Sequence, residues 1–260
     1  MVAPNGARRG KSDHPDLPIT DDEVIDAARA CQLAGADGVH LHVRDAEGAH
    51  LLDATRYRAL LDRLAQIVPD MYLQVTSESA ERYSAEEQRA MMRALGPAQV
   101  SVAMREMVRS PAEWADARKF YHWAASSGVE IQHILYSPDE VSKFVEAIEE
   151  QKIPGTHHLV QLVQGSYAAG SEGAIDLAEY LAPLDRAGGH SFDWMLCAFG
   201  RDETTSLVQA ALRGGKARAG FENSLWNADG SLASDNAARI GEVDNALRAA
   251  LQNLPKRHVS

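Results

Sequence analysis

Short apolar runs of strand length alternate along this chain with longer segments whose apolar residues recur at helical spacing. The runs fall at 2–4, 38–43, 71–76, 98–103, 129–135, 158–163, 192–198 and 217–221, and the helical segments at 20–34, 53–67, 84–94, 111–127, 138–151, 174–186, 203–213 and 234–252. Helix starts are marked by a Ser or Thr followed three residues later by Glu, a pattern that satisfies two orphan amides reciprocally: Thr20 with Glu23, Ser84 with Glu87, Ser110 with Glu113, Ser137 with Glu140. Pro111 and Pro138 stand at first helical positions, and Gly35, Gly128 and Gly214 follow helix ends. Strict β/α alternation predicts a parallel sheet with right-handed crossovers, and eight units favour its closure. The expected fold is α/β, a (β/α)8 TIM barrel, and with no linker or low-complexity tract the expected organisation is one domain over residues 1–260.

A length of 260 residues suits such a barrel, and 45% hydrophobic with 24% charged residues can bury a core without staples. The formal net charge of -11 opposes nucleic acid and anionic membranes as partners. Cys31 and Cys197 lie in separate apolar stretches and read as buried thiols. Neither an apolar signal region nor a run of 18 apolar residues is present, so a cytoplasmic location is expected. Two irregular stretches follow strands, 6–19 and 165–173, and the first opens on Arg8, Arg9 and Lys11, a basic cluster in an acidic chain.

Candidate chemistry sits at two strand ends. In Gly38-Val39-His40-Leu41-His42-Val43-Arg44-Asp45, alternation puts both histidines on one face, inward at the C-terminal end where barrel active sites lie. The last strand ends Gly220-Phe221-Glu222-Asn223 at the same mouth, offering a carboxylate. Two imidazoles and one carboxylate with open positions match a catalytic zinc site, and equally the facial triad of non-haem iron enzymes. His157 and His158 fall at a strand start, and His14, His50, His122, His190 and His258 in loops, helices or the tail; none is assigned chemistry. His133, in mid-strand, reads as either a core or a pocket group.

These residues carry a resemblance. Leu17-Pro18-Ile19-Thr20, Ala34-Gly35-Ala36, the His40-to-Asp45 strand and Gly220-Phe221-Glu222-Asn223 resemble the β-keto acid cleavage enzymes, among them the 3-keto-5-aminohexanoate cleavage enzyme, over nearly the whole chain. The resemblance implies a zinc-bearing (β/α)8 barrel, commonly a homo-oligomer (dimer or tetramer), that converts a β-keto acid and acetyl-CoA into acetoacetate and an acyl-CoA. It implies zinc on His40, His42 and Glu222, a catalytic arginine at Arg218, and catalytic hydroxyls at Thr76 and Ser101. Where the family has a catalytic Asp this chain has Asn223, whose amide cannot act as a base but can orient the substrate, while zinc-bound hydroxide or Glu78 takes the proton. Thr76-Ser77-Glu78-Ser79 stands where the family has a hydroxyl pair and two glycines. Arg8 replaces the Glu of the member acting on an amino-keto acid, which implies an anionic or polar substrate end, as in a 3-oxodicarboxylate. The alternatives are another metal-dependent lyase, aldolase or hydrolase, and a barrel that binds a keto acid without turning it over.

Overall fold

In a computed structural model of the protein, residues 1–167 and 176–252 are described. His258, residues 168–173 of the irregular 165–173 stretch and the first two residues of the helix expected at 174–186 lie outside them. The elements run α1 (Asp21–Leu33), β1 (Gly38–Leu41), β2 (Val43–Arg44), β3 (His50–Leu51), α2 (Ala54–Ile67), β4 (Tyr72–Thr76), α3 (Ala85–Leu95), β5 (Gln99–Ala103), α4 (Met104–Met107), α5 (Trp114–Ser126), β6 (Glu130–Leu135), α6 (Pro138–Glu149), β7 (His157–Gln164), α7 (Leu177–Arg186), β8 (Ser191–Ala198), α8 (Glu203–Leu212), β9 (Lys216–Ala217) and α9 (Asn236–Gln252).

Seven strands form one parallel sheet in the order β1-β4-β5-β6-β7-β8-β9. The expected strand at 2–4 is reduced to Val2, which bridges in parallel to Val39 on one sheet edge and to Ala219 beyond the other. Its N–H donates to Gly38 O and its carbonyl accepts from His40 N, both at 2.8 Å. The N-terminal residues thus fill the gap between first and last strands.

Reciprocal caps form at Thr20 and Ser84, whose hydroxyls accept from Glu23 and Glu87 N–H while those carboxylates accept from the cap N–H. Ser137 is capped on one side only: its hydroxyl accepts from Glu140 N, but the Glu140 carboxylate takes the N–H of Tyr136 instead. The helix expected at 111–127 begins as a 3-10 turn, Pro111–Glu113, and becomes α-helical at Trp114. Alternation sorts the strands as expected: Val39, Leu41, Val75, Val100, Val102, Val160 and Leu162 are buried in the main apolar core that the helices cover. The opposite, concave face carries a polar layer of His40, Gln74, Ser101, Gln132 and Gln161, all buried. Toward the C-terminal ends Ala103, Ile134, Val163 and Cys197 pack together beyond it. Cys31 and Cys197 are both buried free thiols.

His133 resolves to the core alternative. Its ring packs against Phe144 of α6 (centroids 4.7 Å apart) and Tyr121 of α5 (5.7 Å), its Nδ1 has no hydrogen-bond partner, and burial pushes its pKa down to about 3. The unfolded chain binds a proton near the ordinary histidine value while the fold does not, so this group subtracts stability as pH falls from about 6.5 toward 3. His133→Leu should therefore flatten the acid side of the stability curve by up to about one bound proton between pH 6 and 4. Urea midpoints measured across that range test it, and parallel curves for the two proteins would refute it.

Candidate active site

His40 lies inside β1, one residue before its end at Leu41, but His42 lies just past that last residue, because the chain swings away there: Val43 and Arg44 pair antiparallel with Leu51 and His50 in a hairpin the periodicity does not announce. Arg44 anchors the swing from a buried position, its guanidinium donating to the carbonyls of Gly6, Gly48, Asn5 and Arg9. Both imidazoles remain buried, and their Nε2 atoms face each other 3.1 Å apart. At the other end, the strand expected at 217–221 stops at Ala217, and Glu222 sits in a turn. Gly220 makes that turn with φ +134, and a Cβ there would lie 2.5 Å from Ala3 O. Asn236 at the start of α9 pins the turn: its Oδ1 accepts from Phe221 N (2.9 Å) while its Nδ2 donates to Pro4 O (3.0 Å). Gly220→Ala should cost roughly 1–3 kcal/mol through the forced backbone conformation and the carbonyl contact. Thermal melts decide it; an unchanged midpoint would mean the turn relaxes freely.

This turn brings Glu222 Oε2 to 3.7 Å from His40 Nε2 and 3.5 Å from His42 Nε2, buried and without a hydrogen-bond partner. The three side chains form a group whose ligand atoms lie within 4.8 Å of one another and could hold a metal ion. Each imidazole is held from behind. Gln74 Oε1 accepts from His40 Nδ1 at 2.8 Å, the amide itself being oriented by donating from Nε2 to Gln132 Oε1 (3.1 Å). The His50 Nε2–H donates to Glu78 O (2.9 Å), which leaves its Nδ1 to accept from His42 Nδ1, 3.4 Å away. Both chains of bonds place the proton on Nδ1 and the lone pair on the inward Nε2, the tautomer a metal ligand needs. Burial lowers the pKa of His40 to about 4, partly opposed by Glu222, and lowers that of His42 well below the ordinary value, so both rings are neutral. His50 and Gln74 escape a reading by ligand motifs alone, although glutamine recurring on one face of otherwise apolar strands (Gln74, Gln132, Gln161) is a legible sign of a polar concave layer.

Arg218 is buried and donates from Nη2 to Glu222 Oε1 at 2.9 Å. Burial opposes its charge, but the Glu222 carboxylate prevails and holds the pKa above the ordinary arginine value. Its Nε has no partner. His40, Arg218 and Glu222 floor a cavity of about 420 Å³ at the C-terminal ends of the strands, lined also by Arg8, Thr76, Glu78, Arg105, Tyr136 and Tyr167. Glu78 Oε2 lies 3.8 Å from His42 Nε2, and burial, then Glu222 and Glu106, raise its pKa to about 7. Thr76 Oγ1 accepts from Glu78 N at 3.0 Å. Arg8 pairs with Glu81 at 3.1 Å and is half exposed. Two anticipated residues stand apart: Ser101 and Asn223 are buried, the Ser101 hydroxyl and both Asn223 amide atoms lack partners, and neither side chain lines the cavity.

A helix-flanked parallel sheet with a buried His/His/Glu donor group at its C-terminal mouth defines an α/β enzyme built to act on a small molecule held in a cavity. A family profile described as "beta-keto acid cleavage enzyme" matches residues 1–254, and the chain belongs to that family. Among characterised relatives, the "3-oxoadipate:acetyl-CoA acetyltransferase" of Cupriavidus necator is 28% identical over 249 residues, covering 93% of this chain and 85% of that protein. The "3-keto-5-aminohexanoate cleavage enzyme" of Acetoanaerobium sticklandii is 22% identical, covering 92% and 87%. Among solved structures, ObcA in complex with oxaloacetate superposes with a TM-score of 0.68 at 16% identity over 90% of this chain, which spans 64% of the ObcA chain. The 3-dehydroquinate dehydratase of Geobacillus kaustophilus gives 0.61 at 12% identity, covering 98% and 91%. At these identities the two structures speak to fold alone. Among the described residues no helix is long and apolar enough to cross a membrane.

Proposed function

We propose that the protein is a single (β/α)8 barrel, closed by its N-terminal residues, that condenses a β-keto acid with acetyl-CoA and cleaves the adduct to acetoacetate and a new acyl-CoA. The observation that carries this reading is the buried His40, His42 and Glu222 donor group beside Arg218 at the floor of the cavity. The residues fit a zinc ion. Donors each about 2.0–2.2 Å from a common ion stand roughly 3.3–3.6 Å apart in a tetrahedral site, close to the observed 3.1, 3.5 and 3.7 Å. The unpartnered Glu222 Oε2 and two lone pairs turned inward are what such an ion would satisfy. Bound there, zinc supplies Lewis-acid polarisation of the keto oxygen.

The protein's own groups do the rest. The free Nε–H of Arg218 donates to the substrate carboxylate and orients it. Glu78, facing the cavity beside His42, takes a proton from the carbon between carboxylate and ketone, a role Asn223 cannot fill. Thr76 holds the Glu78 backbone through its oxygen and keeps a hydroxyl proton to donate. The carbanion attacks the thioester carbonyl of acetyl-CoA and CoA thiolate leaves. The thiolate then adds to the original keto carbon, the bond to the acetoacetate unit breaks, and Glu78 returns its proton to acetoacetate. No reacting atom falls to Ser101 or Asn223.

Arg8 at the cavity wall favours a substrate with an anionic distal end, a 3-oxodicarboxylate, in keeping with the name of the 28% identical relative. Incubating zinc-loaded protein with acetyl-CoA and a panel of β-keto acids while following acetoacetate tests the reaction. Acetoacetate absent across the panel would return the choice to another metal-dependent lyase or hydrolase, or to a keto-acid-binding barrel. Arg8→Glu should shift the kcat/KM ratio from dicarboxylic toward amino-keto acids by roughly 10- to 100-fold, the scale of one charged hydrogen bond. An unmoved ratio would remove Arg8 from specificity.

A further inference from the structure

Arg105, on the four-residue helix α4, lines both the cavity and a neighbouring cleft of about 330 Å³ between α4, the start of α5 and α6. The guanidinium lies over the ring of Tyr136, Cζ 3.3 Å from its centroid, so its plane is fixed by stacking. Its nearest carboxylate, Glu140 Oε1, stands 3.6 Å away, beyond hydrogen-bond reach, which leaves the N–H edge of the fork open.

Three more cations face the cleft: Arg109, Lys143 and Lys152. Lys152 pairs with Glu150 and also stands 4.9 Å from the ring centroid of Trp114, which forms part of the wall. Lys143 and the Arg109 guanidinium have no carboxylate partner among the described residues; Arg109 donates only to Tyr83 O. Three glutamates, Glu140, Glu146 and Glu150, share the lining, leaving four cations against three anions, in a chain whose net charge is -11. A net negative chain disfavours a polyanionic ligand at long range, so a local cationic cluster that shares Arg105 with the catalytic cavity is where one can be received.

Building on the acetyl-CoA reaction proposed above, we infer that this cleft receives the phosphate-bearing nucleotide end of coenzyme A, with Arg105 at the threshold across which the pantetheine arm enters the catalytic cavity. The Arg105 and Arg109 forks suit phosphate oxygens bidentately, Lys143 and Lys152 add point charges, and Trp114 gives an aromatic surface for adenine. The keto acid and the coenzyme are then read by different cations, Arg8 for the first and the Arg105 cleft for the second.

The test uses the zinc-loaded full chain and the exposed substitution Lys143→Glu, with its thermal midpoint measured to confirm folding. The KM for acetyl-CoA should rise about tenfold, the scale of one lost charge-assisted contact, while the KM for the keto acid moves less than twofold. Calorimetry with free CoA should show the same loss, and wild-type protein should bind 3′-dephospho-CoA more weakly than CoA. An unchanged KM for acetyl-CoA together with unchanged CoA binding would overturn the inference. So would an Arg105→Ala enzyme impaired only in its KM for the keto acid, which would give that fork to the other substrate. Because calorimetry needs no turnover, CoA binding that depends on Lys143 in a protein without acetyl-CoA-dependent activity would uphold the cleft and sink the reaction instead.

Discussion

His42→Ala will strip the protein of stoichiometric zinc and lower kcat/KM by roughly 10³-fold or more. A Lewis-acid metal contributes several kcal/mol of transition-state stabilisation, and each 1.36 kcal/mol is tenfold in rate. His42 is the sharper choice of the two imidazoles because its ring is fixed on both sides: Nδ1 against His50, Nε2 toward His40 and Glu222. His50 cannot swing in to replace it, since it is held to Glu78 O and faces His42 with Nδ1. Metal content by mass spectrometry and steady-state kinetics on the same preparation give the answer together. Full zinc occupancy with less than a tenfold loss of activity would remove His42 from the ligand set, and with it the centre as drawn.

Arg218→Met should destabilise the metal-free protein by about 3–5 kcal/mol, the cost of leaving one partner of a buried ion pair uncompensated. Arg218 and Glu222 are 5% and 8% exposed, so water cannot take over. A bound cation can. The destabilisation should therefore shrink when zinc is supplied, while turnover should stay low, the proposed donor to the substrate carboxylate being gone. Denaturant titrations with and without zinc separate these effects. A loss below about 1 kcal/mol in the metal-free protein would show that Glu222 escapes the charge by another route, and an equal loss in both states would mean that no cation sits beside Glu222.

The pairing of Arg218 with Glu222 is made by a turn rather than by a strand face. Strand alternation puts residues four apart on one face, yet the strand ends at Ala217 and the contact is made by a turn at Gly220 that the 2.9 Å ion pair closes. His40 and His42 are a similar case: they meet as alternation predicts, although the ladder stops at Leu41 between them. Side-chain direction survives small breaks in backbone pairing, because a nearly extended chain keeps its twofold alternation outside the ladder as well.

The residues behind the ligands lie further from anything local. His50 is eight residues from His42, across a hairpin turn, and Gln74 is 34 from His40, on a neighbouring strand, so neither contact is made within one helix or strand. Asn223, adjacent to Glu222 in sequence, turns into a buried site off the cavity, while Arg105 and Tyr136, 31 positions apart, stack at its wall. Alternating apolar runs, capping pairs and glycine stops are written in short windows, so element order, the α/β class and the donor types at the two strand ends could be read from the chain by itself. Which donors converge, how each imidazole is protonated, which polar groups face the cavity and where a second cleft opens depend on contacts between distant strands and turns. Those contacts are set by packing the whole sheet, and only the tertiary structure decides them.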